Sequence, residues 1–154
     1  MDFVQRTIDI ARRNVAEGGR PFATVIVKNG EILAESPNKV DQTGDPTAHA
    51  EVLAIREACV KLRTEHLTGT TIFVLAHPCP MCLGALYYCS PDEVVFLATR
   101  DAYECHRGGG RKVSPAMQLR AWKDGSSMRD QTEISHVTVP SPARPPRDES
   151  RFSD

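Results

Sequence analysis

No apolar run in these 154 residues approaches the ~20 needed to cross a bilayer, so a helical membrane span is not expected. The opening Met1-Asp2-Phe3-Val4-Gln5-Arg6 meets charge at once and offers no apolar signal-peptide stretch. A cytoplasmic chain is the expectation. An excess of positive charge is also missing. Nineteen Lys plus Arg against 20 Asp plus Glu leave a net charge of −1, which argues against broad affinity for nucleic-acid phosphates. There is no internal repeat. Cysteine is scarce and odd in number, five in all, which argues against a disulfide framework in a reducing compartment. Cys59, Cys89 and Cys105 stand alone and read as packing or surface residues, because free Cys behaves as a small hydrophobe.

The length suits about one domain, and a globule of this size buries about 68–70% of its unfolded surface. Its 40% apolar and 25% charged content is ordinary for a globular chain. Apolar residues at 3, 4, 8, 11 and 15 predict an amphipathic helix from Phe3 to Val15, closed by Glu17-Gly18-Gly19-Arg20-Pro21. The β-branched run Thr24–Val27 and the segment Glu31–Glu35 flank Asn29-Gly30, a strong hairpin signal. A polar loop is expected from Ser36 to Thr47. A second helix is expected to begin near Asp45-Pro46 and to run to about Arg63. Thr71–Ala76, nearly all apolar, predicts a strand buried on both faces. A third helix follows from Met81 to about Cys89, then a strand at Glu93–Ala98. Ser114–Lys123 reads as a helix and Ile134–Val139 as a last strand. Alternating strands and helices after a hairpin indicate a three-layer α/β sandwich with parallel crossovers. Residues 1–139 form the expected domain. Residues 140–154, with four prolines and many charges, are expected to be a mobile tail.

Two stretches carry chemistry: Thr47-Ala48-His49-Ala50-Glu51 and Pro78-Cys79-Pro80-Met81-Cys82. One His and two Cys on zinc leave its fourth tetrahedral position for water, the arrangement of a catalytic site. Cys79 and Cys82 are one helical turn apart, so their sulfurs share a face at a helix start that favours thiolate. Pro80 suits the first turn, where its missing N–H has no intrahelical partner. His49 and Glu51 are two apart and would diverge in a regular helix. Both reach one site only if His49 lies where the backbone is not yet helical. A lone Cys-x-x-Cys is also compatible with a redox pair or half of a structural zinc site. A redox pair would require neither His49 nor Glu51, and a structural site wants four protein ligands.

The His-x-Glu and Pro-Cys-x-x-Cys motifs on successive helices resemble those of the zinc-dependent cytidine-deaminase-like superfamily, whose signature is known for nucleobase deaminases. The resemblance runs from about Pro21 to Thr99. Within it, Pro21-Phe22-Ala23, Asn38, Asp45–Glu51 and Cys79–Ala85 look most like bacterial guanine deaminases and plant guanosine deaminases; tRNA adenosine deaminases carry similar motifs. It implies an α/β/α sandwich with a central mixed sheet of about five strands. It also implies one zinc per chain, with a catalytic water, held by His49, Cys79 and Cys82. Glu51 would shuttle protons without binding zinc, and Asn38 resembles the family asparagine that hydrogen-bonds the substrate, though an Asn after a strand also reads as a turn residue. Ala48 and Phe22 are further candidate substrate contacts, with core burial as the other reading of Phe22; His77, at a strand end beside the site, reads as a substrate contact or as a structural hydrogen bond. The expected substrate is a nucleobase or nucleoside, most of all a guanine-type purine, and the expected assembly is a homodimer through the apolar third helix. An adenosine in tRNA and a nucleotide or cytosine-type substrate are the alternatives. A zinc-stabilised binding module is the non-enzymatic one.

The chain departs from the family at His77, where Glu or Ser often precedes the Pro-Cys. It departs again at Tyr103–Lys112, where guanine deaminases carry an acidic, aromatic stretch, and its Pro-rich tail has no clear counterpart among them. His106 to Lys112 sets three glycines among Arg107, Arg111 and Lys112. It reads as a solvated loop, or as a phosphate cradle of backbone N–H groups and positive charge.

Overall fold

The computed structural model describes residues 1–98 and the backbone of residues 135–138. Helix α1, Phe3–Ala16, begins where the Asp2 carboxylate accepts the Gln5 N–H at 3.0 Å. The hairpin forms as expected, with β1 at Ala23–Lys28 and β2 at Glu31–Pro37. Asn29 and Gly30 both adopt positive φ, 53° and 78°, which a tight two-residue hairpin turn demands. Ile26 pairs with Ala34 but Val27 with Ile32, so Leu33 is the extra residue of a bulge.

The sheet order is β2-β1-β3-β4-β5, with β3 at Thr70–Ala76, β4 at Glu93–Ala98 and β5 at Ser135–Thr138. β1 lies antiparallel to β2 and β3, while β3 and β4 are parallel across helix α4, Pro80–Cys89. β5 returns antiparallel to β4, so the sheet is mixed and the β3–β4 pair is its one parallel pair among the described strands. Alternation of element types does not by itself dictate the direction in which a strand returns.

Successive strand residues point to opposite faces, and two cores follow from that. On one face Ile26, Ile72, Val74, Val94 and Phe96 pack with Ala54, Ile55 and Ala58 of α3 (Ala50–Leu62) and Leu86 and Cys89 of α4. On the other, Val25, Val27, Phe73 and Leu75 meet Phe3, Ile10 and Ala11 of α1. These are the three layers. Burial of Ile26 and Ile72 contributes roughly 1.5–3 kcal/mol each. β3 is not buried equally on both faces: Ile72 and Val74 are enclosed by α3 and α4, while Phe73 and Leu75 are half-buried under α1. Cys89 is core and Cys59 packs against it, as expected for lone cysteines.

The expected loop after β2 holds a short helix α2, Val40–Thr43, and α3 begins at Ala50 instead of near Asp45-Pro46. The Asp45 carboxylate accepts both the N–H and the hydroxyl of Thr47 at 2.8 Å, which closes a turn and uses up the expected cap. The expected helix Ser114–Lys123, Cys105, the His106–Lys112 stretch and residues 140–154 lie outside the described residues.

Arg6 of α1 grips Glu35 of β2, its Nε donating to Oε2 at 2.8 Å, and this hydrogen bond holds the carboxylate below its usual value. A depressed folded value means that the contribution is present above the unfolded value of about 4.3 and vanishes as pH falls through the folded one. Wild type should therefore melt above Glu35→Gln at neutral pH, with the gap closing below pH ~4. Thermal melts across that range check it, and a gap constant into acid contradicts it.

Candidate metal and catalytic site

His49 is the residue that caps α3, with φ −70° and ψ 148°, so it is still extended while Glu51 already lies in the first turn. That geometry meets the demand set by their spacing. The preceding turn holds it there: the Ala48 N–H donates to the Asp45 carbonyl at 3.1 Å, and the Ala48 carbonyl accepts from the Lys39 N–H at 2.9 Å. Cys79 plays the same part on α4, extended at φ −73° and ψ 167°, with Pro80 opening the helix. Cys82 follows one turn later, fully buried.

Three donor atoms converge. The Cys79 and Cys82 sulfurs are 3.5 Å apart, and His49 Nδ1 is 3.6 Å from the first and 3.5 Å from the second. Zinc–sulfur bonds of about 2.3 Å and zinc–nitrogen bonds of about 2.0–2.1 Å at tetrahedral angles give edges of about 3.8 and 3.6 Å. The triangle fits the ion. Its electrostatics fit too. Two thiolates this close repel unless a cation sits between them. Accordingly Cys79 is drawn down to about 4, first by the thiol of Cys82 and then, against burial, by His49. Cys82 is pushed far up by Cys79, by burial and by Glu51. The same Cys79 sulfur raises His49. A divalent cation removes this conflict by accepting both sulfurs as thiolates. Among the described residues no other group of three such donors is this close.

Glu51 is 7% exposed. Burial raises its carboxyl above the usual range, its own backbone N–H opposes, and Cys79, His49 and Cys82 all act on it. The carboxyl therefore faces the metal donors without being one of the three. Burial beside a charged cluster is the setting in which enzymes raise a carboxyl's proton affinity for proton transfer.

The other expected site residues are placed as follows. Asn38 is buried at the end of β2; its N–H donates to the Phe22 carbonyl at 2.9 Å and its Oδ1 accepts the Val40 N–H at 3.1 Å. Its oxygen thus serves the loop. Phe22 is half-buried just before β1, and Ala48 is buried directly before His49. His77 lies at the end of β3, half-buried; its Nδ1 is 2.9 Å from the Pro78 carbonyl, which makes Nδ1 the donor. Its ring meets Phe96 edge-on at 5.0 Å. Asn14 and Gln42, which bond to each other beside Asn38, were not legible as site residues. The available signal was an Asn at the fourth position of the buried α1 stripe Thr7, Ile10, Ala11, Asn14.

Residues 1–98 match the family described as the cytidine and deoxycytidylate deaminase zinc-binding region. The guanine deaminase of Bacillus subtilis (strain 168) is 46% identical over 97 residues, 62% of this chain and 62% of that one. The tRNA-specific adenosine deaminase of Aquifex aeolicus (strain VF5) is 42% identical over 96 residues, 62% of this chain and 64% of that one. Each match thus spans a little under two thirds of the relative's length. The X-ray structure of guanine deaminase from Bacillus subtilis superposes with a TM-score of 0.64 at 33% identity, covering 83% of this chain and 96% of that one. With the matched region spanning both metal-binding helices, this chain belongs to the cytidine and deoxycytidylate deaminase zinc-binding family.

Proposed function

We propose that this protein is a zinc-dependent hydrolytic deaminase of an amino-bearing nucleobase or nucleoside, with a guanine-type purine as the favoured substrate. The observation that carries this is Glu51, a buried carboxyl against a two-thiolate, one-imidazole metal site. A structural zinc has no use for a proton carrier and wants a fourth protein ligand.

His49, Cys79 and Cys82 would hold zinc, which would supply the Lewis acidity that lowers the pKa of a water from 15.7 toward ~7. Glu51 accepts the proton that this water releases as its oxygen attacks the amino-bearing ring carbon. Glu51 passes that proton to the ring nitrogen, then takes the proton of the newly attached hydroxyl and delivers it to the departing amine as the carbonyl forms. One C–O bond forms, one C–N bond breaks, one water is consumed and ammonia leaves. A carboxyl whose proton affinity is raised by burial holds a proton more readily than a free one, which suits a group that must both take up and return protons. Phe22 and Asn38 supply an apolar surface and a polar contact for the base, with Ala48 and His77 at the edge of the site.

Similarity to a guanine deaminase and a net charge of −1 support a small purine. Similarity to a tRNA-specific adenosine deaminase supports the second reading, a tRNA adenosine. Ammonia release from guanine, guanosine, adenine, cytosine, cytidine, their nucleotides and an adenosine-containing tRNA stem-loop separates them. Guanine or guanosine is expected to turn over. Turnover confined to the stem-loop and weakening steeply with salt selects the second reading. Zinc-loaded protein that releases ammonia from none is a binding module.

Cytoplasmic location belongs to the same proposal, since a reducing compartment keeps Cys79 and Cys82 as metal-binding thiols. No helix among the described residues is long and apolar enough to cross a membrane. A homodimer through α4 is also part of it, supported by Tyr87 and Tyr88 at 70% and 80% exposure beside exposed Met81. Sedimentation at micromolar concentration should give twice the 17.0 kDa chain mass, and Tyr88→Glu should shift it to monomer. A wild-type monomer there contradicts the dimer.

A further inference from the structure

We infer that Asn14 is a positioning residue for substrate binding, its buried carboxamide tying α1 to the two loops that carry Phe22 and Asn38. The inference rests on the reading of those two residues as substrate contacts. Asn14 is 1% exposed and projects from α1 between the segments. Its Nδ2 donates to the Arg20 carbonyl at 2.7 Å and to the Asn38 carbonyl at 2.8 Å. Its Oδ1 accepts from Gln42 Nε2 at 3.0 Å, and its backbone carbonyl accepts the Gly19 N–H at 2.8 Å. Arg20, Asn38 and Gln42 of α2 thus meet at one side chain of α1.

The chemistry explains the residue type. Two carbonyl oxygens arrive from two loops, so two N–H donors are needed, and Gln42 brings a donor that needs an acceptor. A carboxamide offers this combination at this size; a carboxylate would set oxygen against oxygen. The packing leaves no slack. A Cβ on Gly19 would press on Gln42 Nε2 and come within 2.6 Å of the Asn14 carboxamide atoms.

The consequences run toward the substrate side of the site. The Arg20 carbonyl that Asn14 holds also accepts the Phe22 N–H at 2.8 Å, and the Asn38 N–H donates to the Phe22 carbonyl at 2.9 Å. The two proposed contacts are therefore fastened to each other and, through Asn14, to α1. Arg20 and Asp41 close the outside of the same loops with an ion pair, Nη2 to Oδ1 at 2.8 Å. The metal ligands and Glu51 lie at the starts of α3 and α4 and take no hydrogen bond from Asn14. Loss of Asn14 should therefore raise KM more than it lowers kcat, and should spare zinc.

The test compares Asn14→Ala with Thr7→Val, Gln42→Ala and Asn38→Ala in the full chain. Thr7 is equally buried on α1, but among the described residues its hydroxyl donates to the Phe3 carbonyl at 2.8 Å, within its own helix, so Thr7→Val reports a structural loss alone. Asn14→Ala should keep zinc and raise KM about tenfold or more, the factor expected for a lost buried hydrogen bond, with kcat within about threefold. Its amide exchange should quicken at Phe22, Asn38 and Lys39 and nowhere in α4. Thr7→Val should lower the melting temperature with KM unchanged. If Asn14→Ala fails to fold, exposed Gln42 carries the test, and Gln42→Ala should raise KM to a smaller degree. A raised KM in Asn38→Ala with wild-type KM in folded Asn14→Ala, or in Gln42→Ala where Asn14→Ala does not fold, overturns the inference and leaves the proposed function standing. So does exchange that is unchanged or uniformly faster. Localised exchange with no turnover of any substrate supports the hold of Asn14 on the loops and overturns the deaminase reading instead.

Discussion

Glu51→Gln is expected to bind a full complement of zinc and to lose at least ~10²–10⁴-fold in turnover, the range that general acid–base catalysis contributes. Glutamine keeps the volume and the polar end of this 7% exposed side chain, so packing around the site should survive. What it cannot do is take up a proton and give it back. Because Glu51 is not one of the three converging donors, metal content should not change. Stability of the metal-free protein offers a second measurement with a definite sign. Burial raises the folded value of Glu51 above the unfolded value of about 4.3. A group raised in this way favours folding fully below the unfolded value, and that benefit is lost as pH rises through the folded one. Metal-free Glu51→Gln should therefore melt above metal-free wild type at neutral pH, with the difference shrinking toward pH ~4. Zinc-loaded Glu51→Gln with wild-type kcat would sink the shuttle.

Cys82→Ala should strip the site. Removing one of three protein ligands leaves one sulfur and one imidazole, which is no longer a zinc site of recognised donor count. Loss of an outer partner alone typically costs 10–100-fold in metal affinity, so loss of a ligand should exceed ~100-fold. Wild type gains stability from zinc by mass action, about 4.1 kcal/mol at a thousand times Kd, and Cys82→Ala should show no such gain. Cys89→Ala is the matched control. Cys89 is equally buried on the same helix but packs in the core with Leu86, so its loss should lower stability while zinc remains. Metal analysis after gel filtration reads both variants. One zinc per chain retained in Cys82→Ala removes the assignment.

Much of this molecule was legible from local patterns, because local patterns are set by neighbours in sequence. The stripe of α1 follows the helical repeat, and Asn29-Gly30 between β-branched runs can hardly be anything but a tight hairpin turn. Residue type and spacing also singled out His49, Glu51, Cys79 and Cys82, since one helical turn brings two sulfurs to one face wherever the helix sits. The start of α3 was misplaced by several residues. Asp45 had two uses for its carboxylate, a helix cap or a turn with Thr47, and sequence does not weigh one against the other. That difference matters to function, because the later start is what leaves His49 extended and lets it share a site with Glu51.

By itself, then, the sequence determined the helices and strands in outline, the hairpin, and the four residues able to build a metal and proton-transfer site. Tertiary structure alone decided which donors meet, 3.5–3.6 Å apart from the starts of two helices. It alone set the sheet order, the antiparallel return of β5 and the alternating burial of β3. It alone revealed that Asn14 reaches across 24 residues to the Asn38 carbonyl. The physical reason is range. Helical period and turn preference are fixed within a few residues, whereas a buried amide finds its partners, and a carboxyl its perturbed proton affinity, only when distant segments exclude water together.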